Sequence, residues 1–224
     1  DCIDIPPNSK FVVPYALTEQ QMQVYRQMKA AQLAILNEKD FVTAANAATV
    51  ATKLLQIASG AVYDETGKWH LIDVERYELI MDLVEQRRQC VVFFLWEHQK
   101  EQLIIEATKR GITYGVLDGS VKSDSQREET VNYFQNELYR IILAHPQSAA
   151  HGLTLTRGTS TIWASPTYNL EHFLQGNKRI YRAGQTERTE TIIVIAQGTI
   201  EEKVLQILEG KQNNMEGLLS LLEE

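Results

Sequence analysis

Apolar positions in the first sixty residues recur with a helical period. Met22, Tyr25, Met28 and then Leu33 or Leu36 fall on one stripe, and Thr18 with Gln21 three places on forms a capping box, so a helix is predicted over 18–36. A second is predicted over 40–59, rich in alanine, with Leu54, Leu55 and Ile57 near its end and Gly60 at a position suited to a C′ residue. Together they read as an antiparallel helical hairpin over 17–60, a brace without chemistry of its own. Ahead of it, Pro6, Pro7 and Pro14 surround the apolar run 11–13, the pattern of an extended linker over 1–16 with room for one strand. Residues 61–69 read as turn, punctuated by Asp64 and Gly67.

After residue 73 the pattern changes. Helical stripes (Val74, Tyr77, Ile80, Val84; then Leu103, Ile104, Ala107; then Val131, Phe134) alternate with short apolar runs at 90–96, 112–117, 139–144, 161–164 and 191–196. Short β-branched runs separated by helices predict an α/β fold, a parallel sheet with helices on both faces, over 61–210. A helical tail is expected over 211–224. Ligands of such sheets bind beyond the carboxyl ends of the strands, which directs attention to 117–120, 145–155, 165–169 and 175–185.

Composition narrows the function. The chain has 224 residues, 44% hydrophobic and 23% charged, enough to bury a real core. Its net charge of −7, from 22 Lys+Arg against 29 Asp+Glu, excludes a protein that coats nucleic acid nonspecifically. Any such contact must be local. Cys2 and Cys90 stand far apart and the five histidines lack ligand spacing, so no disulfide framework and no metal site is expected, and the compartment reads as reducing and cytoplasmic. No apolar run approaches a membrane span, so no membrane association is expected. Asp1 in place of methionine suggests a piece of something longer.

The segment 175–185 carries the sharpest candidate chemistry. If Asn169 opens a helix that Gly184 closes, Arg179 and Arg182 leave one face of it, two permanently charged forks aimed the same way. Such a pair suits a phosphate chain; on an arbitrary helix it would merely offset the macrodipole. The loop 145–155 is long and rich in small residues; Gly152 allows close backbone approach, and Ser148, Thr154 and Thr156 are neutral donors for a phosphodiester backbone. An ordinary strand-to-helix connection accounts for that loop equally well. Gly60 with Gly67-Lys68 is not a P-loop: the glycines are too far apart and Trp69 stands where a Ser/Thr is needed.

Taken in order, L-D-G-S (117–120) with Arg127 and Phe134 downstream, A-H-P-Q-S-A-A-H-G-L-T-L (144–155), W-A-S-P-T-Y-N-L-E (163–171), Q-G-N-K-R-I-Y-R-A-G-Q (175–185) and G-T-I-E-E-K-V (198–204) resemble the second RecA-like lobe of a superfamily 2 helicase-type ATPase of the Swi/Snf branch. The wording around His145-Pro146 and His151-Gly152 is similar to bacteriophage versions. The resemblance spans roughly residues 90–208 and extends weakly to the hairpin, which is similar to the family's helical insertion. It implies a RecA-like (P-loop NTPase-type) sheet and half of a motor. ATP would lie between two lobes, the first of which supplies the P-loop and the acidic Mg2+ motif, both missing here. This lobe would supply arginine fingers at Arg179 and Arg182, with Gln175, Gln185 and Gly152 at the ATP cleft.

His98, Asp118, Gly119, Ser120, Ser148, Thr154 and Thr156 would face the nucleic acid, DNA in preference to RNA. Three departures from the family pattern stand out: Ala149-Ala150 for a double glycine, Lys178 for an acidic residue, and Gly176 for an alanine. The implied partners are the first lobe of the same protein and DNA, and this chain alone is expected to be inactive. The competing reading is a non-catalytic nucleic-acid or protein adaptor built on a helicase-like lobe. An unrelated α/β small-molecule enzyme ranks behind both, because no dinucleotide turn, nucleophile elbow or catalytic carboxylate pair is present.

Overall fold

The computed structural model describes residues 5–37, 44–149 and 153–210. The predicted tail 211–224 and residues 40–43 of the second predicted helix lie outside them. Six strands form one sheet in the order β1-β8-β7-β4-β6-β5, where β1 is Asn8–Tyr15, β4 Cys90–Phe93, β5 Tyr114–Leu117, β6 Ile141–Ala144, β7 Ser160–Trp163 and β8 Thr189–Ala196. The pairings of β4 with β6 and β7, of β5 with β6 and of β7 with β8 are all parallel, with Cys90 opposite both Ile141 and Ser160. Strands β4, β6 and β7 are buried at every position, as a sheet covered on both faces requires. The α/β architecture foreseen from the apolar runs is the one observed.

Two compact units divide the chain, one of residues 1–13 and 77–194, the other of 14–76 and 195–224. In the first, a single helical turn, α6 (Pro146–Ala149), follows β6, while α3 (Glu75–Glu85, which begins just before the boundary), α4 (Glu97–Lys109) and α5 (Asp124–Gln135) alternate with the strands. They bury Tyr77, Ile80, Val84, Leu103, Ala107 and Phe134, all at zero exposure. Strand β4 stops short of the predicted run at Trp96. The Phe94 N–H still donates to Ala144 O at 3.1 Å, but the amides after it are taken by a side chain: Gln99 Oε1 accepts the N–H groups of Leu95 (2.8 Å) and Trp96 (3.3 Å), while Gln99 Nε2 donates to Ser165 Oγ at 2.7 Å. A buried glutamine thus converts the strand end into a loop.

The second unit holds α1 (Glu19–Asn37), α2 (Ala44–Ala58), the antiparallel ribbon β2 (Ala61–Tyr63) with β3 (Trp69–Leu71), and α8 (Ile200–Leu208). The ribbon replaces the expected turn, and β1 takes up the one strand for which the expected linker left room, longer than the run 11–13 suggested. At the centre of this unit Arg76 and Glu201 are 2% and 0% exposed and pair at 2.8 Å. Arg76 also donates to Ala58 O and Tyr15 Oη, each at 2.9 Å, and Glu201 accepts the Ala196 N–H at 2.7 Å. Every charge there has a counter-charge and hydrogen bonds, the condition under which buried ions are tolerated.

Candidate functional site

The carboxyl ends of the strands carry the candidate site. After β7, Asn169 accepts the His172 N–H at 3.0 Å and opens α7 (Leu170–Asn177), the N-cap foreseen from the sequence. The helix ends before the arginines, which corrects the expectation of a single helical face. Lys178 is its C-cap, Asn177 Oδ1 accepts the Trp163 indole N–H at 3.0 Å, and the chain continues in turns through Gly184 at φ 94°. Gly176 serves packing: a Cβ there would stand 2.8 Å from Trp163 Cζ2 and 3.0 Å from Phe93, whose rings stack at 4.5 Å. Only glycine lets this helix lie so close to the two aromatics.

Arg179 and Arg182 nevertheless converge. With Ile5, Gln175, Lys178 and Tyr181 they line one cavity of about 510 Å³. Arg179 is 8% exposed; its pKa is lowered by burial first and by Arg182 second. Two like charges drawn together in a partly dry site favour an anion between them. Tyr181 and Ile5 belong to this cavity and were not among the expected site residues; Ile5 lies in the segment that leads into β1.

The arginine turns are bonded to the chain that follows β6. Leu155 N–H donates to Arg179 O at 2.9 Å and Arg182 Nη1 donates to Leu153 O at 3.3 Å. Gln185 Nε2 donates to the carbonyls of Thr156, Gly158 and Ile180 at 3.0, 3.1 and 3.2 Å, and its Oε1 accepts the N–H groups of Thr186 and Glu187. These bonds turn its side chain toward the backbone of both segments. Buried and with its amide group fully engaged, Gln185 is a clip between two loops. Gln175 lines the cavity, its amide N–H donating to Glu171 at 2.9 Å. Gly152 lies outside the described residues.

The residues expected to face nucleic acid separate into two sets. Gly119, Ser120 and Thr154 are exposed. His98 is wholly buried on the inner face of α4, so it presents no surface to a strand, and that expectation is corrected. Asp118, 6% exposed, turns inward: Oδ1 accepts the Ser120 N–H at 2.9 Å and Oδ2 accepts from Lys100 Nζ at 2.9 Å. Burial opposes its ionisation, but the bonds from Ser120 and Lys100 outweigh it and hold its pKa below the ordinary carboxylate value. Asp118 is a loop organiser. Ser148 is 8% exposed, and Thr156 Oγ1 accepts from Gln135 at 3.4 Å. Lys100, missed from sequence, carried one usable signal: it lies three residues beyond Glu97 on α4, and the two pair at 2.6 Å. His145, whose pKa is lowered by burial and by His172, packs its ring 5.8 Å from that of Phe94. Among the described residues no group of three or more His, Cys, Asp or Glu could hold a metal, and no helix is long and apolar enough to cross a membrane.

Residues 75–184 match the helicase conserved C-terminal domain. The human DNA excision repair protein ERCC-6-like is 31% identical over 154 residues, covering 66% of this chain and 12% of the relative. Protein p41 of Acyrthosiphon pisum secondary endosymbiont phage 1 is 27% identical over 192 residues, covering 82% and 38%. The chain thus spans well under half of either relative. In fold it is similar to the Sulfolobus solfataricus SWI2/SNF2 ATPase core in complex with dsDNA, with TM-score 0.73 and 21% identity over 96% of this chain and 46% of that one. Residues 75–184 of this chain thus carry a helicase conserved C-terminal domain, on a parallel sheet whose fold is similar to that of SWI2/SNF2 ATPase C-terminal domains.

Proposed function

We propose that this chain is the second motor lobe of an ATP-dependent DNA translocase or helicase, in which Arg179 and Arg182 act as arginine fingers on a nucleotide held by a first RecA-like lobe. The observation that carries this reading is the shared cavity: two guanidiniums and Lys178 line one recess, and the turns bearing the arginines are bonded to the loop after β6. ATP fits that donor set, since phosphoryl transfer spreads negative charge over the γ-phosphoryl oxygens, where held guanidiniums stabilise it. The carboxylates that hold Mg2+ would come from the first lobe. Arg179, half-desolvated and beside Arg182, is pre-set to gain from an incoming phosphate.

The bonds from 153–158 to the arginine turns supply a route by which nucleotide state reaches the nucleic-acid side. Exposed Gly119, Ser120 and Thr154 there would meet a strand, and the dsDNA complex of a structurally similar core supports DNA as that partner. In the intact two-lobed protein, Arg179→Ala or Arg182→Ala should cut ATP hydrolysis by ~10²-fold or more. Circular dichroism should show an unchanged fold. Near-normal turnover in both variants would remove the role assigned to them.

A further inference from the structure

Arg127 is part of the sequence signature but neither lines the arginine cavity nor stands among the residues expected to face a strand. It lies in the first turn of α5, half-buried, and its guanidinium reaches out of the helix in two directions. Nε donates to Val121 O at 2.9 Å, in the loop after β5, and Nη1 donates to Ser148 O at 3.4 Å, in the helical turn α6 that opens the loop after β6. The inner ends of these loops are already joined, because the His145 N–H donates to Leu117 O at 3.0 Å. Each loop also has a local anchor. Val121 N–H donates to Asp118 O and Ser148 N–H to His145 O, while Lys100 pins the Asp118 carboxylate. Between the outer halves, Arg127 is the bridge that these bonds supply.

We propose that Arg127 is a positioning residue that locks the loop after β5 to the loop after β6, so that a nucleic-acid strand meets the two as one rigid ledge. The inference rests on the motor reading for its purpose, and on geometry alone for the lock. Exposed Gly119, Ser120 and Lys122 lie on one loop and exposed Gln147 on the other. Loops held in register before the strand arrives lose less freedom on binding. Arginine suits the task because its planar fork reaches two diverging carbonyls at once, where lysine offers a single point of contact. The guanidinium faces protein carbonyls, so it orders the ledge and leaves the phosphates to other groups.

The test uses the intact two-lobed protein, a duplex oligonucleotide, and the variants Arg127→Ala, Arg127→Lys and Arg127→Met, the last keeping the apolar stem in place. Loss of the two bonds should raise the DNA concentration that half-saturates ATP hydrolysis by roughly tenfold. Turnover at saturating DNA should stay within about twofold, and lysine should restore only part of the loss. The slope of affinity against salt should not change, whereas loss of a direct phosphate contact would lower it by about one. An unchanged half-saturating concentration, or a lowered slope, overturns the positioning role.

Amide exchange reads the lock without DNA. It should quicken at 119–121 and 147–148 in Arg127→Ala and Arg127→Met but not in β5 or β6, and unchanged exchange overturns the lock. A wild type whose hydrolysis ignores DNA overturns the motor reading instead, while the exchange result still decides the lock.

Discussion

Gly176 sets a helix-propensity effect against a packing effect, and their magnitudes decide the outcome. Replacing a helical glycine by alanine ordinarily gains up to about 1 kcal/mol. Here the new methyl would meet Trp163 at 2.8 Å and Phe93 at 3.0 Å, ring atoms of a stacked pair at the heart of the sheet. Overpacking of a close-packed core costs about 1–3 kcal/mol, so packing wins. Gly176→Ala should therefore lower the thermal midpoint and alter the near-ultraviolet circular dichroism of Trp163; a stabilised variant would show that the rings yield without strain. Gln185 makes a related point. Its place in an ordered motif suggests contact with ligand, but three carbonyls and two amides consume it. A side chain amide with that many buried partners positions backbone, and backbone positions the arginines.

Among the elements, the loop after β5 separates packing from binding. A Cβ at Gly119 would meet nothing within 4 Å, and its φ lies outside the left-handed region. Neither packing nor conformation requires glycine there, so the proposed approach of a strand is the one demand left to test. Gly119→Ala should leave the melting temperature unchanged while weakening DNA-stimulated hydrolysis roughly threefold or more, and equal DNA dependence would free this loop from the track. The same elements show what was legible beforehand. Strands β4, β6, β7 and β8 were readable because burial on both faces makes continuous apolar runs, while β5, at the edge, is buried only at alternate positions. Strand β1 was legible only as room for one strand inside an expected linker: Asn8, Val13 and Tyr15 alone are less than exposed, and Pro6, Pro7 and Pro14 speak for a linker although proline is tolerated at an edge. The ribbon of β2 and β3, three residues each, was too short to show a period. The convergence of Arg179 and Arg182 was legible from spacing, but through the wrong element, since the end of α7 depends on Asn177 meeting Trp163 across the fold.

At the scale of the whole chain, both compact units hold groups that burial keeps protonated. Tyr15 and Tyr25 are pushed up to about 12 from 10.0, and the Cys90 thiol to about 12 from 9.0, burial being the largest cause in each. The folded pKa values lie above the unfolded ones, so their contribution is complete below pH 9 and is lost as the unfolded chain releases protons that the folded chain retains. The thermal midpoint should fall as pH rises from 9 to 12, and a flat profile would mean these groups are solvated.

Charge sets the last expectation. A net charge of −7 opposes a polyanion, and neither a P-loop nor its acidic partner motif is present in these 224 residues. On the proposed reading Arg179 and Arg182 stabilise charge only on a phosphate that another lobe presents, and a few exposed donors at the loop ends cannot offset long-range repulsion by the rest of the surface. This chain alone should therefore hydrolyse no ATP above background and bind duplex DNA weakly, less still as salt is raised. Addition of the first lobe, in trans or by fusion, should restore DNA-stimulated hydrolysis that Arg179→Ala abolishes. Tight, salt-resistant DNA binding by the isolated chain would instead favour an adaptor whose contacts are apolar and whose arginines serve the fold.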